Sequence, residues 1–235
     1  LTIDFLFEKK LSVSYVESDL GYSMSFNVNS AFKKSNNHWE NYVLGTINEL
    51  KQIKAELSNF SCSIKSNLPT GAGISSSSAL VCGLIKGLSE LNKIKLENSE
   101  IINLSRNVEH KYIGLLGGIM DQYTILNAKK NTAILLNCEK LDSKFIKLEF
   151  KEFKLLLLDT NVKHNLANTE YNQRVSECKE SLQIINRICK KNYANLSQVN
   201  RIDLSLSKEK LGKTLFKRAS HILNENQRVI NSVEF

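Results

Sequence analysis

The sequence predicts an α+β protein made of two domains, and three observations support that prediction. The chain has 235 residues, enough for one large domain or two small ones. Apolar residues make up 42% of it and charged residues 24%, so it can build a hydrophobic core and is not a disordered chain. Stretches of alternating polarity are interspersed with longer stretches whose apolar residues recur every three or four positions. Strands and helices are therefore mixed along the chain.

The first part of the chain begins with strands and continues with helices. Apolar and polar side chains alternate over residues 3–7 and 11–16, which is the period of a half-buried strand. Apolar residues recur at spacings of three and four over residues 38–57, which predicts a helix. Residues 62–65 alternate again and predict a strand, and helical spacing returns over residues 75–91.

The same alternation continues in the second part. A helix is predicted over residues 98–112 and a break over the glycine-containing residues 114–118, after which helical spacing resumes at Met120. Strands are predicted at residues 131–136 and 153–158. From Thr169 onward the pattern is helical, with an interruption near residues 192–200. The expected boundary lies near residue 150, so that residues 1–150 form an N-terminal domain and residues 151–235 a C-terminal one.

Composition excludes several classes of protein. No apolar run approaches the roughly 18–20 residues that cross a bilayer, and the N-terminus does not have the pattern of a secretory signal. The five cysteines form no C-x-x-C pair and the four histidines are dispersed. We therefore expect a cytoplasmic protein without a disulfide framework or a zinc site.

The net charge of +8 raises the question of nucleic acid. Most of it lies in residues 187–235, which hold ten Lys/Arg against four Asp/Glu but few aromatic residues and no nucleic-acid-binding motif. Solvated helix faces explain this charge better, so no nucleic acid, membrane or obligate protein partner is expected.

The most informative segment reads Pro-Thr-Gly-Ala-Gly-Ile-Ser-Ser-Ser-Ser-Ala over residues 69–79. A predicted strand precedes it and a predicted helix follows. Glycines let backbone N–H groups approach a phosphate closely, and a helix N-terminus adds partial positive charge. No lysine follows the second glycine, and Ser76 stands where a third glycine would complete G-x-G-x-x-G. From the residues alone, a phosphate-binding loop and a simple helix cap both remain open.

The order of this segment resembles the second motif of the GHMP small-molecule kinases. Further segments are similar to the galactokinase branch of that family. Residues 117–122 read G-G-I-M-D-Q, and residues 39–45 read W-E-N-Y-V-L-G. Residues 159–174 contain T-N-V-K and E-Y-N-x-R, and residues 218–229 contain R-A-S-H and E-N-Q-R-V. The matches are collinear from residue 39 to residue 229.

The resemblance implies a fold and an activity. The fold would be the two-domain GHMP kinase fold, with a ribosomal S5-like N-terminal domain and a ferredoxin-like C-terminal domain. The activity would be the phosphorylation of galactose at its C1 hydroxyl, with ATP and Mg²⁺, to galactose 1-phosphate in the Leloir pathway of galactose metabolism. Galactose and ATP are thus the expected partners.

The resemblance also implies roles for individual residues. Asp121 would be the base, and a carboxylate in a glycine-flanked turn can accept a hydroxyl proton, although it can also cap a helix. Gly118 and Tyr171 would contact the sugar together with Asp121. Trp39 and Tyr42 would lie beside the adenine. The residues expected to wrap the triphosphate are Gly71, Ala72, Gly73, Ile74, Ser75, Ser76 and Ser77, with Ser76 or Ser77 near the metal.

Two departures from the family pattern leave alternatives. Val81 stands where many galactokinases have a metal-holding glutamate, so a kinase for N-acetylgalactosamine or another sugar stays open. A non-catalytic galactose- and ATP-binding regulator is a second alternative, although such regulators lack a Ser-Ala pair and Ser78-Ala79 is present here. The family's first and third motifs would lie before Leu1 and after Phe235. The chain is therefore expected to be an internal fragment, truncated at both ends and nearly inactive alone, because the first motif carries an arginine for the transferring phosphoryl group.

Overall fold

The computed structural model describes residues 1–6, 11–54, 56–69, 71–149, 152–154, 156–158 and 169–233. Contacts divide the chain into two compact units, Leu1–Ala167 and Asn168–Phe235. The boundary expected near residue 150 falls beside residues 150 and 151, which lie outside the described residues, and it stays a prediction. In the described part of the chain, no helix is long and apolar enough to span a membrane.

The first unit contains a four-stranded sheet in which β1 (Thr2–Leu6), β2 (Ser14–Ser18), β3 (Ser23–Phe26) and β4 (Ser61–Lys65) are arranged in the order β1-β4-β2-β3. Strand β4 runs antiparallel to β1 and parallel to β2. The strands predicted at the start of the chain and before the glycine–serine segment are confirmed. Strand β3 was not predicted, because four residues are too few to establish an alternating pattern.

Four helices and one π-helical turn accompany the sheet. They are α1 (Glu40–Lys51), α2 (Ser76–Leu91), α3 (Asn98–Val108), the π-helical turn Glu109–Ile113, and α4 (Met120–Asn127). All four helices fall where the sequence predicts helix. One face of α1, α2 and α3 is apolar and packs with the sheet into a single core. The fully buried side chains of this core include Val16, Val43, Ile47, Leu50, Phe60, Val81, Leu84, Ile85 and Val108.

A separate antiparallel hairpin follows α4, formed by β5 (Thr132–Asn137) and β6 (Asp142–Lys147). The predicted strand at residues 131–136 is confirmed as β5. The strand predicted over residues 153–158 is wrong for the residues that are described, since none of them is in a strand. Phe153 and Leu156 are 75% and 84% exposed. A strand needs a neighbouring backbone to bond to, and no described strand lies beside this segment.

The second unit is helical where it is described. It contains α5 (Thr169–Cys189), a 3₁₀ turn at Leu196–Gln198, α6 (Arg201–Leu206) and α7 (Lys208–Val233), which is kinked at Gly212. This order confirms the helical prediction with its interruption near residues 192–200. The small core consists of Ile185, Leu196, Val199, Leu204, Leu211 and Ala219. Since residues 169–233 include no strand, the ferredoxin-like arrangement stays a prediction.

The packing of β1 on α2 gives a direct test of the first core. A methyl group added at Gly87 would overlap the ring of Phe5. Gly87→Ala is therefore expected to destabilise the chain by about 1–3 kcal/mol, the usual cost of overpacking, measured as a lower urea midpoint. Lys86→Ala, an exposed neighbour on the same helix, should change stability by less than about 0.5 kcal/mol. An unchanged midpoint for Gly87→Ala would contradict this packing.

Candidate active site

The glycine–serine loop has an unusual backbone. Gly71, Gly73 and Ser75 adopt the left-handed conformation, with φ of 76°, 72° and 63°. A Cβ atom built on either glycine has no neighbour within 4 Å, so both backbones face open space. Left-handed residues recur in the backbone concavities that bind anions with their N–H groups. The loop therefore exposes left-handed backbone, a feature of anion-binding loops, directly before α2.

Ser75 distinguishes a ligand loop from a simple helix cap. It is the N-cap residue of α2, yet its side chain makes no capping hydrogen bond. A non-glycine residue in the left-handed region costs about 1–2 kcal/mol, and no cap compensates for that cost. Strained residues of this kind cluster at binding sites. Because Ser75 makes no capping hydrogen bond, the structure argues against the interpretation that this segment is only a helix cap.

This strain can be measured. Ser75→Gly is expected to raise the free energy of unfolding by up to about 1 kcal/mol, because relief of the left-handed strain exceeds the entropy that glycine adds to the unfolded chain. Ser75→Ala is the matched control, since it removes the hydroxyl but keeps the strain, and it should bring no gain. Urea denaturation of both variants measures the difference. A glycine variant that is less stable than the alanine variant would contradict the assignment of strain.

A buried carboxylate lies beside the serines. Glu109 is 4% exposed, and its Oε1 accepts a hydrogen bond of 2.6 Å from the Ser78 hydroxyl. Burial raises the pKa of this carboxyl. The hydrogen bond from Ser78 and the nearby amide of Gln122 lower the pKa of Glu109, the charge of Asp121 raises it further, and His110 lowers it. Glu109 is therefore a carboxyl group that is shielded from solvent at the N-terminal end of α2.

Tyr42 belongs to the same cluster. Burial raises the pKa of its phenol, the Glu109 carboxylate raises it further, and the Ser77 hydroxyl opposes both. Tyr42 on α1 and Asp121 on α4 are thus both near enough to Glu109 for charge interactions, and Ser77 lies near Tyr42. Of the predicted site residues, the structure therefore places Tyr42, Ser77 and Asp121 in the neighbourhood of Glu109.

Sequence reasoning missed Glu109, although a signal was present. The buried face of α3 includes Ile101, Ile102, Ser105 and Val108, and Glu109 continues that face. An acidic residue on the apolar face of a helix is a candidate functional residue, because burial perturbs the pKa of its carboxyl group.

Val81, by contrast, is fully buried in the core of the first unit. It points away from the loop and cannot replace a metal ligand there. The carboxylate next to the serines comes instead from the π-helical turn.

The loop before α4 is held by His110. The ring Nε2 of His110 lies 2.8 Å from the carbonyl oxygen of Gly117, which accepts the hydrogen bond. A Cβ at Gly117 would lie 3.3 Å from Glu109 Oε2, whereas Gly118 is exposed with nothing within 4 Å of its Cβ position. The loop therefore approaches Glu109 closely on one side and faces open space on the other.

Asp121 lies in the first turn of α4, where the partial positive charge of a helix N-terminus favours a carboxylate. The N-cap residue is Ile119, and no side chain caps this helix. Asp121 is half-buried and makes no hydrogen bond or ion pair with any other residue that the structure describes. The alternative in which Asp121 only caps the helix is therefore not supported.

Trp39 lies at the start of α1, with its ring centroid 5.3 Å from that of Tyr22, and it packs against the core. The adenine contacts of Trp39 and Tyr42 stay predictions.

The second unit carries the remaining predicted sugar residue. Tyr171 is in the first turn of α5 and is 47% exposed. The T-N-V-K segment at residues 160–163 lies outside the described residues. Tyr171 and Arg174 line an open groove of about 730 Å³ together with Arg218 and His221 of α7. Two segments that carry the family resemblance thus meet within this unit.

Comparison with known proteins shows which family this chain resembles. Residues 41–129 match the family model of the GHMP kinases N-terminal domain, which covers the glycine–serine loop, Glu109 and Asp121. This part of the chain is similar to the GHMP kinase family, and the predicted α+β fold is confirmed.

The curated relatives are galactokinases. The galactokinase of Thermosipho africanus is 36% identical over 99% of this chain and 64% of its own length. That of Thermotoga maritima is 36% identical over 84% of this chain and 54% of its own length. This chain therefore spans less than two thirds of these relatives.

Two solved kinase structures are similar to this chain. The crystal structure of Lactococcus lactis galactokinase complexed with galactose matches 97% of this chain and 58% of that chain, with a TM-score of 0.81 and 28% identity. A mevalonate kinase structure matches 99% of this chain and 69% of that chain, with a TM-score of 0.50 and 17% identity, which shows the fold alone.

Proposed function

We propose that the protein is a galactokinase that transfers the γ-phosphoryl group of ATP to the C1 hydroxyl of galactose. The observation that carries the proposal is the contact of Ser78, which follows the left-handed glycine–serine loop, with the buried carboxylate of Glu109, whose pKa the nearby Asp121 raises. The galactokinase relatives support the choice of sugar. A cytoplasmic location, expected from the five free cysteines, is part of the same proposal.

The loop residues 71–77 would bind the triphosphate of ATP. Backbone N–H groups of a left-handed loop and the N-terminus of α2 supply partial positive charge to phosphate oxygens. The Tyr42 phenol lies beside Ser77 and would close one side of this site. The adenine would then lie toward Tyr42 and Trp39, at the start of α1.

The residues present fit a magnesium ion. Mg²⁺ prefers oxygen ligands and is commonly held by one or two carboxylates together with substrate phosphates. Glu109 is a buried carboxylate beside serine hydroxyls, and no Lys or Arg among the described residues forms an ion pair with it. Glu109 with Ser76 or Ser77 would hold the ion, which when bound neutralises phosphate charge in the transition state.

Asp121 would accept the proton of the attacking hydroxyl. It is half-buried, lies at a helix N-terminus and has no described partner that competes for its oxygens. The exposed backbone of Gly118 would let the sugar approach, and the Tyr171 phenol would donate to or accept from sugar hydroxyls.

The test is sugar phosphorylation by the complete gene product with ATP and Mg²⁺. We expect kcat/KM to be higher for galactose than for N-acetylgalactosamine. Preference for the amino sugar would make the protein an N-acetylgalactosamine kinase. Binding of galactose and ATP without any phosphorylation would indicate the non-catalytic regulator.

A further inference from the structure

The loop that leads into α4 is hydrogen-bonded back to the π-helical turn at its start and near its end. At its start, the backbone N–H groups of Gly114 and Leu115 donate to the carbonyl oxygen of Glu109, with N···O distances of 2.9 and 3.1 Å. Near its end, the ring of His110 donates from Nε2 to the carbonyl oxygen of Gly117, with an N···O distance of 2.8 Å. Because a carbonyl oxygen can only accept, the ring nitrogen is the donor. The loop is therefore closed onto two consecutive residues of one turn.

This closure fixes the backbone next to the proposed sugar site. Gly118 directly follows the bonded carbonyl group, is exposed, and has nothing within 4 Å of its Cβ position. Ile119, the N-cap residue of α4, is 6% exposed and lies in the interior. Gly118 thus lies between one residue held by a hydrogen bond and one held by burial. Asp121 follows in the first turn of α4, so its position depends on the same two anchors.

The bond from His110 is the part of this closure that depends on a particular side chain. The bonds to the Glu109 carbonyl oxygen are made by backbone atoms, which every residue type except proline supplies. Among the described residues, no side chain caps the start of α4. His110 also lies in a π-helical turn, a local irregularity that is frequent at functional sites.

We infer that His110 is a positioning residue that holds Gly118 and Asp121 in place for the sugar, through its hydrogen bond to Gly117. This inference rests on the proposed function, in which Gly118 lets the sugar approach and Asp121 accepts its hydroxyl proton. A displacement of about 1 Å at a reacting group can cost about 10²-fold in rate, so the loss of one anchor of this loop is enough to affect turnover.

The test compares His110→Gln with His110→Asn in the complete gene product, by steady-state kinetics with galactose and ATP. Both variants carry a neutral amide, but only the longer glutamine side chain places an N–H group near the position of the ring Nε2. His110→Asn is expected to lower kcat/KM for galactose by about 10–10²-fold, with a higher KM for galactose and an unchanged KM for ATP. His110→Gln should keep most of the wild-type kcat/KM. A purely structural role would lower the unfolding temperature and the fraction of active protein, and hence kcat, but would leave the KM for galactose unchanged.

Three results would overturn the inference. The first is a wild-type KM for galactose in His110→Asn. The second is an equal loss in both variants, which would show that an N–H group at this position is not what matters. The third is failure of His110→Asn to fold, which would make His110 a stability residue. If the wild type does not phosphorylate galactose, the proposed function fails and the inference fails with it. If the wild type does so and both variants keep its KM for galactose, the proposed function stands and only the role of His110 is wrong.

Discussion

Asp121→Asn in the complete gene product is expected to lower kcat by about 10²–10⁴-fold, the usual contribution of a general base. Asparagine has nearly the same shape but cannot accept the hydroxyl proton. The Kd of ATP should stay within about twofold, because Asp121 lies in the first turn of α4 and not in the glycine–serine loop. Steady-state kinetics and ATP titration measure the two effects separately.

The matched control is Asp142→Asn. Asp142 is an exposed aspartate at the start of β6, and its substitution should leave kcat unchanged. Near-normal turnover of Asp121→Asn would show that another group accepts the proton. A parallel loss of ATP affinity would show instead that Asp121 organises the nucleotide site.

Glu109→Gln is expected to lower kcat by about 10²–10³-fold, because a metal contact worth several kcal/mol in the transition state is lost. The same change should raise the unfolding temperature of the metal-free protein at pH 8. Burial raises the pKa of Glu109, so the folded state holds this proton more tightly than the unfolded state does. The stability that the protonated Glu109 carboxyl gives the folded state is fully present below the pKa that Glu109 has in the unfolded chain. It is lost as the pH rises through the higher pKa that Glu109 has in the folded protein. A neutral glutamine avoids that loss and can still accept from Ser78.

Glu49→Gln is the control for this second prediction. Glu49 is also fully buried, but it forms an ion pair of 2.8 Å with Lys111 and accepts a hydrogen bond from Asn107. Removing a paired buried charge leaves its partner without a counter-charge and destabilises the fold. Glu49→Gln should therefore lower the unfolding temperature without changing the effect of Mg²⁺ on ATP affinity. If both variants shifted the unfolding temperature in the same direction, the distinction between the two carboxylates would be wrong.

The loop and its neighbouring elements could be predicted because their signals are local. Glycines at residues 71 and 73, a preceding strand and a following helix lie within one short segment, and the structure contains β4, the left-handed loop and α2 in that order. The helix starting at Met120 was recognisable for the same reason. Asp121 followed from the family motif around it.

The errors and omissions have non-local causes. Strands β3 and β6 are recognised as strands through their partners β2 and β5. The apolar segment at residues 153–158 has the composition of a strand, but no described strand lies beside it. The role of Val81 could not be judged from the motif, since its helix turns it into the core while Ser78, three residues earlier, contacts Glu109.

The sequence by itself determined the family resemblance, the order of most elements and the position of the glycine–serine loop, because short-range spacing encodes backbone conformation. Only the tertiary structure identified the second carboxylate. Ser78 and Glu109 are 31 positions apart in the sequence. Their contact arises because α2, the π-helical turn and α4 pack around one core, and hydrogen bonds and desolvation act over a few ångströms in space whatever the separation in sequence.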